Sequence, residues 1–173
     1  MILTIGHSTH PIDEFLEMLA AHGVEQLIDV RTIPKSRRNP QFHQESLAVS
    51  LARSHIVYRH IPGLGGLRHA RKDSINTGWK NSSFRGYADY MQTPGFEESL
   101  RQLINASDSL RTVIMCAEAV PWRCHRSLIA DALAARGIVV EHIMSKTSRK
   151  RHSYTPFARI EGEKVTYPGL PVE

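Results

Sequence analysis

The sequence predicts an α/β domain: a mainly parallel sheet of about five strands, flanked by helices and followed by a C-terminal β-hairpin. Three observations lead there. Short apolar runs at 2–5, 26–30, 112–116 and 139–143 are separated by stretches of helical periodicity, the alternation that builds a parallel sheet. Glycines stand where elements should stop, at positions 6, 23 and 137. Finally, 173 residues with 41% apolar and 23% charged side chains suit one globular domain with a sizeable core, spanning 1–173.

Each element has a local reason. Ile2-Leu-Thr-Ile5 is short enough for a buried strand and stops at Gly6. Pro11 opens a helix whose first turn carries Asp13 and Glu14, with Phe15 and Leu19 on one face. Gln26–Val30 reads as the second strand. A second helix spans 44–54, with Leu47 and Leu51 four apart, and Val57–Ile61 reads as the third strand. Residues 62–82, rich in Gly, Asn, Ser and basic residues, form a long loop of the kind that usually has a function. Phe84, Tyr87, Ala88 and Met91 have helical spacing, and Pro94 starts another helix carrying Phe96, Leu100 and Leu103. Thr112–Cys116 is a buried strand, 125–136 a helix, and 139–143 the fifth strand; residues 157–167 turn as a hairpin near Glu161-Gly162.

No apolar run approaches the roughly 18 residues of a membrane helix, so no membrane partner is expected. The first residues lack the basic start of a signal peptide, and the chain has only two cysteines. Free thiols and a cytoplasmic location are expected. The formal charge is +5, but it is segregated. Residues 31–85 carry eleven Lys/Arg against two acids, 146–151 carry four and no acid, and the remainder is acidic. Segregated positive charge points to a phosphorylated small molecule or a nucleic acid as partner. Arg37, Arg38, Lys80 and Lys150 are the candidate nucleic-acid contacts, with Trp79 as a ring for base stacking.

In an open parallel sheet, ligands sit beyond the carboxyl ends of the strands. Those ends collect His7 and Ser8 after strand one, Asp29, Arg31 and Ser36 after strand two, and Gly65, Gly66 and Arg68 after strand three. After strand four come Cys116, Glu118, Cys124, His125 and Arg126. Asp29 and Glu118 could act as a pair, one protonated and one ionised, on a glycosidic or phosphoryl bond. His7 or His125 could move the proton. Arg31, Arg68 and Arg126 could hold phosphate bidentately, helped by Ser8, Ser36 and the amides of Gly65 and Gly66. Cys124, at a helix N-terminus beside Arg123 and Arg126, is a candidate thiolate for redox or sulfur-transfer chemistry, whereas Cys116 reads as a core residue. A cysteine-phosphatase loop does not fit: Arg123 is one position too far from Cys116, and the matching position after Cys124 is Ala130. The Cys-x7-Cys-His spacing follows no common zinc pattern, so neither metal nor cofactor is expected. Together these residues suggest a hydrolase or transferase acting on a phosphate-bearing substrate. A non-catalytic nucleic-acid binder is the alternative.

Several motifs also point to a family. Ile-Gly-His-Ser8, Asp-Val-Arg31, Arg-Arg-Asn-Pro-Gln-Phe42, Leu-Gly-Gly66 with Arg68, Phe-Arg-Gly-Tyr-Ala-Asp-Tyr-Met91 and Met-Cys-Ala-Glu118 with Cys-His-Arg126 resemble the bacterial domain-of-unknown-function family 488 over about residues 1–145. The resemblance implies a small cytoplasmic α/β protein and brings no reaction or cofactor with it.

Overall fold

A computed structural model describes residues 1–170. Five strands run parallel: β1 (Ile2–Gly6), β2 (Gln26–Asp29), β3 (Val57–His60), β4 (Thr112–Cys116) and β5 (Val140–Ile143). A sixth, β6 (Arg149–Arg151), pairs antiparallel with β5, giving the order β3-β2-β4-β1-β5-β6. The helices are α1 (Ile12–Ala21), α2 (Gln44–Arg53), α3 (Ser82–Tyr90), α4 (Pro94–Ala106) and α5 (Arg126–Ala135). The hairpin β7 (Arg159–Glu161) and β8 (Lys164–Thr166) stands apart from the main sheet.

The expected order of elements is observed, with β6 added. Its sequence, Arg-Lys-Arg, has no apolar pattern to announce a strand. It forms because β5 offers an unpaired edge, and an edge made of exposed cations resists pairing with another chain.

Both faces of the sheet are covered, which explains the nearly continuous apolar runs of β1 and β4. Successive side chains point to opposite faces. Ile2, Ile28, Ile114 and Val140 pack with α3, α4 and α5, whereas Leu3, Leu27, Val113 and Met115 pack with α1 and α2. After β1 the chain crosses to β2 on one side, and after β4 it crosses to β5 on the other. β1 and β4 are neighbours whose connections leave in opposite directions, so their carboxyl ends form the topological switch point where α/β sheets place ligands.

Candidate functional site

Gly6 ends β1 and Cys116 ends β4, paired in register. Gly6 has to lack a side chain, because a Cβ there would collide with the Glu118 carbonyl oxygen and lie 2.7 Å from Arg126 Nη1. The gap it leaves admits the guanidinium of Arg126, the first residue of α5, which is completely buried. Arg126 Nη1 donates to the Glu118 carbonyl at 2.7 Å and to Cys116 Sγ at 3.1 Å, and Nη2 donates to the Ala119 carbonyl at 2.9 Å. Arg126 is therefore not the open phosphate clamp the sequence suggests. Its two Nη groups donate to the loop after β4 and to a sulfur, while Nε is buried without an acceptor among the described residues.

That sulfur lies 2.6 Å from Cys124 Sγ, and both thiols are free. Cys124 accepts the Arg126 backbone N–H at 3.5 Å, as a residue at a helix N-terminus should. Cys116 is thus more than a core residue. Burial pushes its thiol up, and this is the largest single effect. Hydrogen bonding from Cys124 and the charge of Arg126 outweigh it, leaving Cys116 lowered to about 7. Burial and the adjacent Cys116 push Cys124 up.

His125 completes the group. Its Nε2 lies 3.0 Å from the Val30 carbonyl, and a carbonyl can only accept, so Nε2 carries the proton. Nδ1, 3.5 Å from Cys124 Sγ, is then the basic nitrogen. Burial lowers the ring to about 4, so it is neutral at pH 7.

The Asp29 carboxylate is fully buried and fully engaged. Oδ1 accepts from Arg31 N and Nε at 3.1 and 2.9 Å, and Oδ2 accepts from Arg31 Nη2 and the Tyr58 hydroxyl, both at 2.7 Å. Burial and this carboxylate push the Tyr58 hydroxyl well up. The expectation that Asp29 faces Glu118 across an open crevice is corrected: Asp29 holds Arg31 in place. His7 is buried against Phe42, donates from Nδ1 to the Ser8 carbonyl at 2.8 Å, and lies 3.5 Å from Arg31 Nη1 through Nε2. Burial lowers it to about 4.

Over the thiols lies a cleft of about 460 Å³, walled by Arg31, Lys35, Gly66, Tyr87, Glu118, Arg123 and His125 together with both cysteines. Glu118 is exposed there, and its carboxylate accepts the Val120 N–H at 3.3 Å. Lys35 and Arg123 are exposed and make no ion pair among the described residues. The other expected residues lie elsewhere or pack. Arg68 covers the Tyr90 ring at 3.7 Å. Ser36 accepts the Asn39 N–H at 3.2 Å. Ser8 N donates to the Ala117 carbonyl at 2.9 Å, bracing the same loop. Gly65 permits close packing, since a Cβ would fall 2.7 Å from Thr32 N, and Gly66 lies against the His125 ring. Arg37, Arg38, Lys80 and Lys150 are exposed. Trp79 is not an open stacking platform: its ring packs between Phe84 and Phe157.

Sequence reasoning missed Lys35 and Tyr58, which carry no local signal, and the partnership of Cys116 with Cys124. For the thiols a signal existed. A strand end and a helix start joined by one tight loop bring their termini together.

The family model described as "Domain of unknown function DUF488" matches residues 11–133. The chain belongs to the DUF488 family. No curated protein and no solved structure matches it. The DUF488 match covers the Asp29–Arg31 pair and the whole loop from Cys116 to Arg126, and leaves Gly6 and His7 outside.

Proposed function

We propose that this DUF488 protein is a thiol oxidoreductase that reduces a small anionic disulfide, with Cys116 and Cys124 as the reacting pair. The observation that carries the reading is the contact of two free thiols, 2.6 Å apart, in the wall of a basic cleft beside a buried guanidinium. Arg126 stabilises the Cys116 thiolate. That thiolate attacks one substrate sulfur, a mixed disulfide forms, and the first substrate thiolate leaves. The departing substrate thiolate takes the proton of Cys124, whose sulfur then attacks Cys116 Sγ, with neutral His125 Nδ1 beside it as a hydrogen-bond acceptor. The second substrate thiolate leaves, and two electrons have passed from the pair to the substrate. An external dithiol restores the reduced pair.

The cleft favours this substrate class over two others. Cys116 and Cys124 are only 2% and 6% exposed, so a slim group must reach them, which disfavours a folded protein's disulfide. A peroxide would leave Lys35 and Arg123 without a counter-charge. Acid–base cleavage of a phosphate-bearing substrate keeps the anion-binding wall, but has only Glu118 of its two carboxylates in the cleft.

Oxidised glutathione serves as the probe. Incubation should consume both thiols and join Cys116 to Cys124, and Cys124→Ser should trap a mixed disulfide on Cys116. If both thiols survive at the rate of an ordinary cysteine at pH 7, the proposal fails.

A further inference from the structure

Trp122 and Arg123 are consecutive, yet they line different clefts. Arg123 borders the thiol cleft, and Trp122 borders a second one of about 370 Å³ between the 121–123 turn, β6 and residues 152–157. Its walls are unusual. Trp122, Tyr154 and Phe157, which are 58%, 40% and 40% exposed, are the only exposed aromatic side chains among the described residues, and all three line this cleft. Exposed rings gathered in one concavity cost hydration that scattered polar residues would avoid, which marks a binding surface.

The charge there is equally selective. Of the basic run 146–151, Lys146 pairs with Glu17 and Arg149 with Glu141. Lys150 and Arg151 pair with no acid among the described residues, and both line the cleft. The Lys150 ammonium lies 5.2 Å from the centre of the Trp122 ring. Trp79 also lines the cleft, and its indole N–H is buried without an acceptor among the described residues.

A continuous hydrogen-bond network underlies the cleft. Asp131, fully buried, accepts from His152 Nε2, Thr155 Oγ1 and the Tyr167 hydroxyl, each at 2.7 Å. With Nε2 donating, His152 Nδ1 accepts from His142 Nε2 at 2.9 Å, and His142 Nδ1 accepts from the Thr4 hydroxyl at 2.6 Å. Every ring nitrogen is committed to a partner, which orders this wall of the cleft.

We infer that this second cleft binds a nucleotide unit, the base stacked on Trp122 and Tyr154 and the phosphate held by Lys150 and Arg151. Flat rings beside unpaired cations fit a planar group that carries an anion, and the volume suits one such unit. The unit could be a free mononucleotide or part of a single strand. The inference stands independently of the thiol proposal.

Two probes separate the sources: AMP and a short oligothymidylate, each followed by quenching of tryptophan emission at low salt. Trp122→Ala, at an exposed position, should weaken binding about 5- to 150-fold, and Trp122→Phe should keep most of it. Lys150→Ala with Arg151→Ala should flatten the salt dependence by about two phosphate contacts. Binding of AMP identifies a free nucleotide, and binding of the oligomer alone identifies a strand. Binding of neither probe, or binding that Trp122→Ala leaves unchanged, overturns the inference.

Discussion

Arg126→Met tests the central electrostatic argument. The substitution removes a positive charge whose nearest nitrogen is 3.1 Å from Cys116 Sγ. At that separation, attraction to a thiolate is worth about 1.3 kcal/mol in a water-like medium and about 5 kcal/mol at an effective dielectric of about 20. Even the lower value is roughly one pH unit. Cys116 should therefore rise from about 7 to about 8 or higher, cutting its thiolate fraction at pH 7 from about one half to about one tenth or less. Ultraviolet thiolate absorbance followed against pH reads this directly and needs no reagent to enter the cleft. Arg126→Lys keeps the charge and should stay nearer to the parent, which separates charge loss from loop disturbance. A Met variant whose titration midpoint matches the parent's would refute the assignment of Arg126 as the thiolate's stabiliser.

Three further outcomes are expected. Asp29→Asn should cost about 3–5 kcal/mol in chemical denaturation, because it strips a buried arginine of its partner, whereas Glu118→Gln, at an exposed site, should change stability by less than about 0.5 kcal/mol. Gly6→Ala forces a Cβ against the Glu118 carbonyl and Arg126; it should lose roughly 1–3 kcal/mol, read as a fall of several degrees in Tm. The third concerns acid. Burial holds His7, His125 and His142 at about 4, 4 and 3 in the folded chain, against an ordinary value near 6.5. The unfolded chain therefore takes up protons first as pH falls. Stability should be full above about pH 6.5 and decline toward pH 4, by up to about 3 kcal/mol per histidine. A Tm that stays flat across that window would contradict it.

The centre of the main sheet was legible because both its faces are buried, so β1, β2 and β4 appear as largely apolar runs, whereas the edge strand β3, Val-Tyr-Arg-His, is partly exposed and shows only a weak alternation. β6 was not, since a strand of three exposed cations is defined by its neighbour rather than by its own composition. The site divides in the same way. Topology brought His7, Asp29, Cys116 and His125 to adjoining strand ends, as the alternation of elements implies. What each side chain does there depends on partners distant in sequence. Asp29 looks catalytic until Tyr58 and Arg31 are seen to fill its lone pairs, and Arg126 looks like a phosphate ligand until Gly6 is seen to make room for it inside. Asp131 was overlooked because it lies among the alanines of α5, and its partners come some twenty or more residues later.

The position of Asp131 bears on how the family should be delimited. The shared DUF488 segment ends at residue 133, two residues after this aspartate, yet the groups that neutralise its isolation (His152, Thr155 and Tyr167) all come later. A protein trimmed to the shared segment would lose every side chain that donates to this carboxylate, and with them the cover that keeps it from water. In this chain the segment beyond residue 133 is therefore part of the same folding unit as α5, not an appendage to it.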